Sequence, residues 1–254
     1  MNFSLSVSIE VDAAISRVLS CEAWPVKRSL LLLMSGQDAP IRALVACSLR
    51  FNQSAIKAGA ALDIIYAGLQ QLHARIESGR EEASMLGTGA VVLVGDYLTS
   101  GAFRLLVDCA DMRLLSVAAS AVNQVSELEV AHLGMGQADV SPQCMQKLLA
   151  PLAIAAGDIG SILAGYPPDI TRIARVFAEH LVASHILFLD AECAVSGQVR
   201  TSLYVAASNL CRHAIYAAEA IAAATENHRP RELAEGIAAR IAARTSFLAE
   251  PTSM

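Results

Sequence analysis

The chain has 254 residues, 54% of them hydrophobic, 17% charged and 5% aromatic, with a net charge of -5 and a pI near 5.7. That length can bury a substantial core, and the acidic balance excludes a nucleic-acid surface, which needs a basic stripe to displace counterions. The six cysteines, Cys21, Cys47, Cys109, Cys144, Cys193 and Cys211, are scattered without a CxxC pair. This argues against a zinc or disulfide framework and fits reduced thiols in a cytoplasmic protein.

No charged segment followed by a long apolar run opens the chain, so no signal peptide is expected. Leu30–Met34 and Ala90–Val94 are the longest apolar runs. They fall far short of the ~20 residues of a membrane span, so no transmembrane segment is expected and the apolar content signals a thick core or a buried interface.

Helical periodicity predicts helices over Val11–Leu19, Lys27–Met34, Pro40–Leu49, Gln53–Glu77, Ala90–Asp108, Arg113–Leu133, Pro142–Leu163, Asp169–Glu192, Ser202–Thr225 and Pro230–Leu248. Turn chemistry separates them at Ser35-Gly36-Gln37-Asp38, Ser78-Gly79, Gly87-Thr88-Gly89, Gly134 to Gly136 and Tyr166-Pro167-Pro168-Asp169. Ser141 and Asp169 sit where N-caps are expected, Ser141 just before Pro142. No strand alternation, sustained repeat or dividing linker is visible. The reading is one all-α domain over residues 1–254, a bundle of about ten helices. Ala90–Val107 and Pro151–Leu163 are apolar on more than one face, which places them at a bundle centre or in a subunit interface. Gly157, Gly160, Ser161 and Ala164 allow close approach of neighbours.

The segment Ala90–Leu106, AVVLVGDYLTSGAFRLL, resembles a hallmark helix of the trans-isoprenyl diphosphate synthases, or polyprenyl synthetases, in which GDYL has the same apolar setting. Other pieces follow in the family's order. Val26-Lys27-Arg28 before a leucine run resembles the GKRxRP entry, Ala61–Tyr66 the ALELIH helix, and Val125–Val130 the SEGE stretch. Gly160–Gly165 resembles LGAxLAG, and the segment through Phe177 to Asp190 resembles the one ending in FQxxDD. The resemblance covers roughly residues 25–250 and implies an isoprenoid-synthase-like fold. It also implies a chemistry in which two facing DDxxD motifs hold Mg²⁺ on a departing pyrophosphate. Mg²⁺ needs several oxygen ligands in near-ideal geometry, and the first and last carboxylates of DDxxD share a helix face.

This chain departs from that pattern. The first motif falls on His73-Ala74-Arg75-Ile76-Glu77, where only Glu77 keeps a carboxylate; the second falls on Leu189-Asp190-Ala191-Glu192-Cys193. The phenylalanine-glutamine pair has become His185-Ile186, the family's KT pair falls on Leu148-Leu149 with Lys147 out of register, and the second arginine of GKRxRP falls on Leu30. Between Asp190 and Ser202 the chain is shorter than the family's lysine-bearing connection. Losing one good electrostatic contact to a developing charge costs ~10²–10³ in rate, and several are lost together here.

His73 and Glu77 form an i, i+4 pair able to bind a divalent metal; the competing reading is a solvent-facing cavity mouth with Glu77 near Arg75, Arg80 and Glu81. Asp190 and Glu192, two apart on a helix, do not share a face. Lys27 and Arg28 are candidates for holding a diphosphate, against plain surface charge. His180 and His185 point in different directions, so a metal pair between them is not expected. Asp96 is read as a buried fold marker with Ser100 one turn on. No catalytic residue is assigned and no cofactor is expected, with Mg²⁺ only if the chain is active.

The leading expectation is a catalytically inactive synthase-like protein of isoprenoid metabolism, working as a homodimer or as a subunit of a heteromer with an active synthase. The alternatives are an active transferase of isoprenyl diphosphates with an altered ligand set drawn from Glu77, Asp190, Glu192, Glu127 and Glu129, or a carrier of an isoprenoid or other lipid.

Overall fold

The computed structural model describes residues 3–18, 40–78, 81–134 and 142–249, with side chains described for these except 70–92, 132–149 and 246–249. Among the described residues there are nine helices and no strand. They are α1 (Phe3–Val18), α2 (Ile41–Leu49), α3 (Gln53–Ser78), α4 (Glu81–Val107), α5 (Met112–Gly134), α6 (Pro142–Ala164), α7 (Pro168–Cys193), α8 (Gly197–Thr225) and α9 (Arg229–Ala249). The expected helix at Lys27–Met34 and the Ser141 cap lie outside the described residues.

Two expected boundaries moved. The Gly87-Thr88-Gly89 turn is not a turn: these residues lie inside α4, which begins at Glu81 rather than Ala90. A helix-interior glycine costs only about 1 kcal/mol, and cooperative propagation carries a 27-residue helix through it. Asp169 is not the N-cap of α7. Pro167 holds that position, Pro168 starts the helix, and Asp169 sits in the first turn paired with Arg172. The fixed φ of Pro168 suits the first helical position, which draws the boundary forward by one residue. The break before it is a Schellman end on α6, with Gly165 at φ +69 and Tyr166 N donating to Ser161 O at 3.0 Å.

Helix α2 organises the rest. All nine of its residues are buried, because α1, α3, α6, α7 and α9 all pack on it. Such enclosure demands small contacts. A Cβ on Gly59 of α3 would lie 2.4 Å from Ala43 Cα, and one on Gly160 of α6 would lie 2.7 Å from Leu49 Cδ1. Gly157 likewise lets α6 approach α7, where a Cβ would meet Ala174 O at 2.7 Å. The small residues of α6 thus do what their spacing predicts. The long antiparallel pair α7 and α8 covers the other side, joined in its interior by Ser184 Oγ donating to Ala207 O at 2.7 Å. Buried apolar side chains run as one cluster from Val7 to Ile241.

Candidate functional site

The polar groups of the core converge at the N-terminal end of α2. Pro40 precedes this helix and supplies no side-chain cap, so the first N–H groups need acceptors from elsewhere. Asp63, one turn before Tyr66 on α3, provides them: Oδ1 accepts from Arg42 N at 3.2 Å and Oδ2 from Ala43 N at 3.0 Å. The same carboxylate lies 3.4 Å from Arg42 Nη1, so one buried side chain both caps α2 and balances its charge. Arg42 is only 1% exposed, and its guanidinium carbon sits 3.6 Å above the centre of the Tyr66 ring. Its Nε and Nη2 are buried with no hydrogen-bond partner. Burial pushes the Asp63 carboxyl upward, while the Arg42 charge and the two backbone N–H groups pull it back.

Helix α7 closes this region. His185 is buried with neither ring nitrogen hydrogen-bonded. Burial, with Arg240 and Arg42 as positive neighbours, holds it at about 4, so it is neutral at pH 7. Asp190 is half-buried, and burial alone raises its carboxyl. Burial also raises the Tyr66 hydroxyl, with the Asp190 and Asp63 charges acting in the same direction, which places Asp190 on the Tyr66 side of α7. Glu192 turns the other way. It accepts from Tyr204 Oη of α8 and lies 3.2 Å from Arg244 Nη2 of α9. One turn before that arginine, Arg240 stands with its guanidinium 5.2 Å from the centre of the Phe188 ring.

The structure therefore separates Asp190 from Glu192, each with its own surroundings. This half of the former metal site does not fit Mg²⁺: a hard cation wants several free oxygens converging on it, and here one carboxylate is engaged by a tyrosine and an arginine while the other points elsewhere. Among the described residues no group of three or more His, Cys, Asp or Glu is arranged to hold a metal ion. The side chains of His73 and Glu77 lie outside the described residues, as do Lys27 and Arg28 entirely. Glu127 is exposed on α5, a helix that packs mainly on α6.

Asp96 corrects its expectation. It is exposed, as is Ser100. The buried face of α4 is instead Val94, Leu98, Ala102, Leu105 and Leu106, and Asp96 falls opposite it. The second apolar face of α4 is uncovered in the single chain, with Leu93 70% and Val107 63% exposed; α5 adds Met112 at 74% and Val130 at 70%.

Sequence reasoning missed Arg42, Arg240 and Arg244. Arg42 left a trace, being the one cation inside the apolar run Ile41–Leu49. The other two lie on α9, the least hydrophobic helix, where arginines read as solvated surface.

No protein-family model matches the chain. In sequence it is 28% identical over 109 residues to the octaprenyl diphosphate synthases of Escherichia coli (strain K12) and Shigella flexneri. The match spans 41% of this chain and about a third (34%) of those relatives' length. In structure, a decaprenyl diphosphate synthase from Rhodobacter capsulatus superimposes with a TM-score of 0.69 at 18% identity, over 93% of this chain and 96% of that one. A geranyltranstransferase from Thermotoga maritima gives 0.73 at 12% identity, over 96% and 100%. A heptaprenyl diphosphate synthase from Staphylococcus aureus gives 0.72 at 10%, over 94% and 98%. The chain has the all-α fold of these proteins, and the resemblance to the trans-isoprenyl diphosphate synthases extends from sequence motifs to architecture.

Proposed function

We propose that this chain of isoprenyl diphosphate synthase fold is a non-catalytic member of isoprenoid metabolism that works as a subunit, paired with itself or with an active synthase. The observation that carries the reading is Glu192. The surviving acid of the second aspartate-rich position is held by Tyr204 and Arg244, so protein cations neutralise what metal ions would otherwise bridge. The uncovered apolar faces of α4 and α5 support assembly, since large exposed apolar patches mark interaction sites. Co-expression with an active synthase tests the subunit role. The expected result is co-purification at fixed stoichiometry with a changed product length or stability, and Leu93→Asp with Val130→Asp should break the complex. A chain that stays monomeric alone and with every such synthase would overturn it.

A second reading is favoured by Arg42, whose Nε and Nη2 are buried and unpartnered at the mouth of the same region. Free guanidinium donors out of water suit an anion. Arg42 opens the helix directly before the Ala61–Tyr66 segment, and in that register it, rather than Leu30, stands for the second arginine of GKRxRP. On this reading the chain holds an isoprenyl diphosphate without converting it. Binding of such a diphosphate, lost in Arg42→Met, would support it.

A further inference from the structure

On the far side of α7, away from Arg42 and Asp63, lies an open groove between α7 and α8 of about 690 Å³, with His180 on one wall and His213 on the other. We infer that His180 and His213 form a two-imidazole site for a borderline divalent cation of the zinc class, bridging α7 and α8. An imidazole nitrogen binds Zn²⁺ at about 2.0–2.1 Å, which sets each ring centre ~3.2 Å from the ion and two rings on one tetrahedral ion roughly 5.2 Å apart. The observed ring centres are 5.3 Å apart, with the planes tilted by 57°. Tilt about each metal–nitrogen axis is unconstrained, so the pair matches the separation a shared ion imposes.

Three further observations agree. Nδ1 of His180 is buried and has no hydrogen-bond partner, so no protein group competes for it. Burial, with His213 as a positive neighbour, holds His180 below the ordinary histidine range against the pull of Glu179, leaving its lone pair available at neutral pH. The nearest groove cation, Arg172, is paired with Asp169. Two histidines leave the remaining coordination positions open toward the groove, where water or a carboxylate of a bound molecule has room. Nitrogen ligands select zinc-class ions over Mg²⁺, so this site is independent of the diphosphate chemistry considered above and stands or falls apart from it.

Zinc chloride titrated into the full chain, followed by calorimetry, tests the assignment. The expected result is one equivalent bound in the wild type and affinity lower by at least ~10-fold in His213→Gln and in His180→Gln, since even second-shell losses cost about 10–100-fold. His213 is exposed, so its variant keeps the fold and decides the matter alone if His180→Gln does not fold. His228→Gln, on the α8–α9 connection, should bind as the wild type does. Absence of zinc binding in the wild type, unchanged binding in His213→Gln, or equal loss in His228→Gln would each overturn the proposal.

Discussion

The carboxylate of Asp63 reaches from α3 to the N-terminal end of α2 and accepts from the backbone N–H groups of Arg42 and Ala43 while facing the Arg42 guanidinium. Two demands of a buried helix, acceptors for its orphan donors and compensation for its one charge, are met by a single side chain. Removal of either partner leaves the other charged and buried, which typically costs about 3–5 kcal/mol. Arg42→Ala and Asp63→Ala should both fall in that range by urea denaturation. Asp63→Asn keeps one carbonyl acceptor for the backbone and should be milder than Asp63→Ala; equal losses would show that capping contributes nothing.

The approach of α2 to α3 leaves no room at Gly59. A methyl group there would meet the Ala43 backbone at 2.4 Å, and overpacking a filled core costs about 1–3 kcal/mol. Gly59→Ala should therefore lower the melting temperature, whereas Gly236→Ala on α9, which faces open space, should raise stability by up to about 1 kcal/mol. Matching effects at the two glycines would contradict the packing described.

His185 makes stability depend on pH. Its folded value of about 4 lies below the ordinary 6.5, the cause being burial first and then Arg240 and Arg42. Below pH ~6.5 the unfolded chain takes up a proton that the folded chain refuses until pH approaches 4, so the stability it supports is complete above that window and lost as pH falls through it. The full difference corresponds to about 3 kcal/mol. Asp63 and Asp190, both raised, act in the opposite sense, so the comparison must be with a variant. His185→Leu should lose less stability than the wild type between pH 7 and pH 5, measured by urea midpoints; parallel slopes would contradict this.

Asp96→Ala should change stability by no more than ~0.5 kcal/mol, as surface substitutions do, because Asp96 faces solvent. A large loss would mean that the α4 face carrying it is covered in solution.

Much of the helix order was legible because apolar periodicity and turn residues agree along most of the chain. Pro40–Leu49 and Pro142–Leu163 were readable almost to the residue. Asp96 misled because an apolar run on both sides suggested burial, when half of those apolar residues lie on the exposed face. The site was less legible for a geometric reason. Glu192 could be found from its motif position, but Tyr204 and Arg244, which decide its role, come from two other helices and carry no spacing signal. His180 and His213 likewise meet across helices, and neither stands out along its own.

The central claim is that the residues left at the aspartate-rich positions do not sustain Mg²⁺-dependent prenyl transfer, and an assay of the purified full chain tests it most directly. An allylic diphosphate and a homoallylic diphosphate are supplied with Mg²⁺ across a wide concentration range, and chain-elongated product is measured. The account predicts no product above the no-protein control at any Mg²⁺ concentration. Turnover that requires Mg²⁺ and disappears in Glu192→Gln or Asp190→Asn would contradict it.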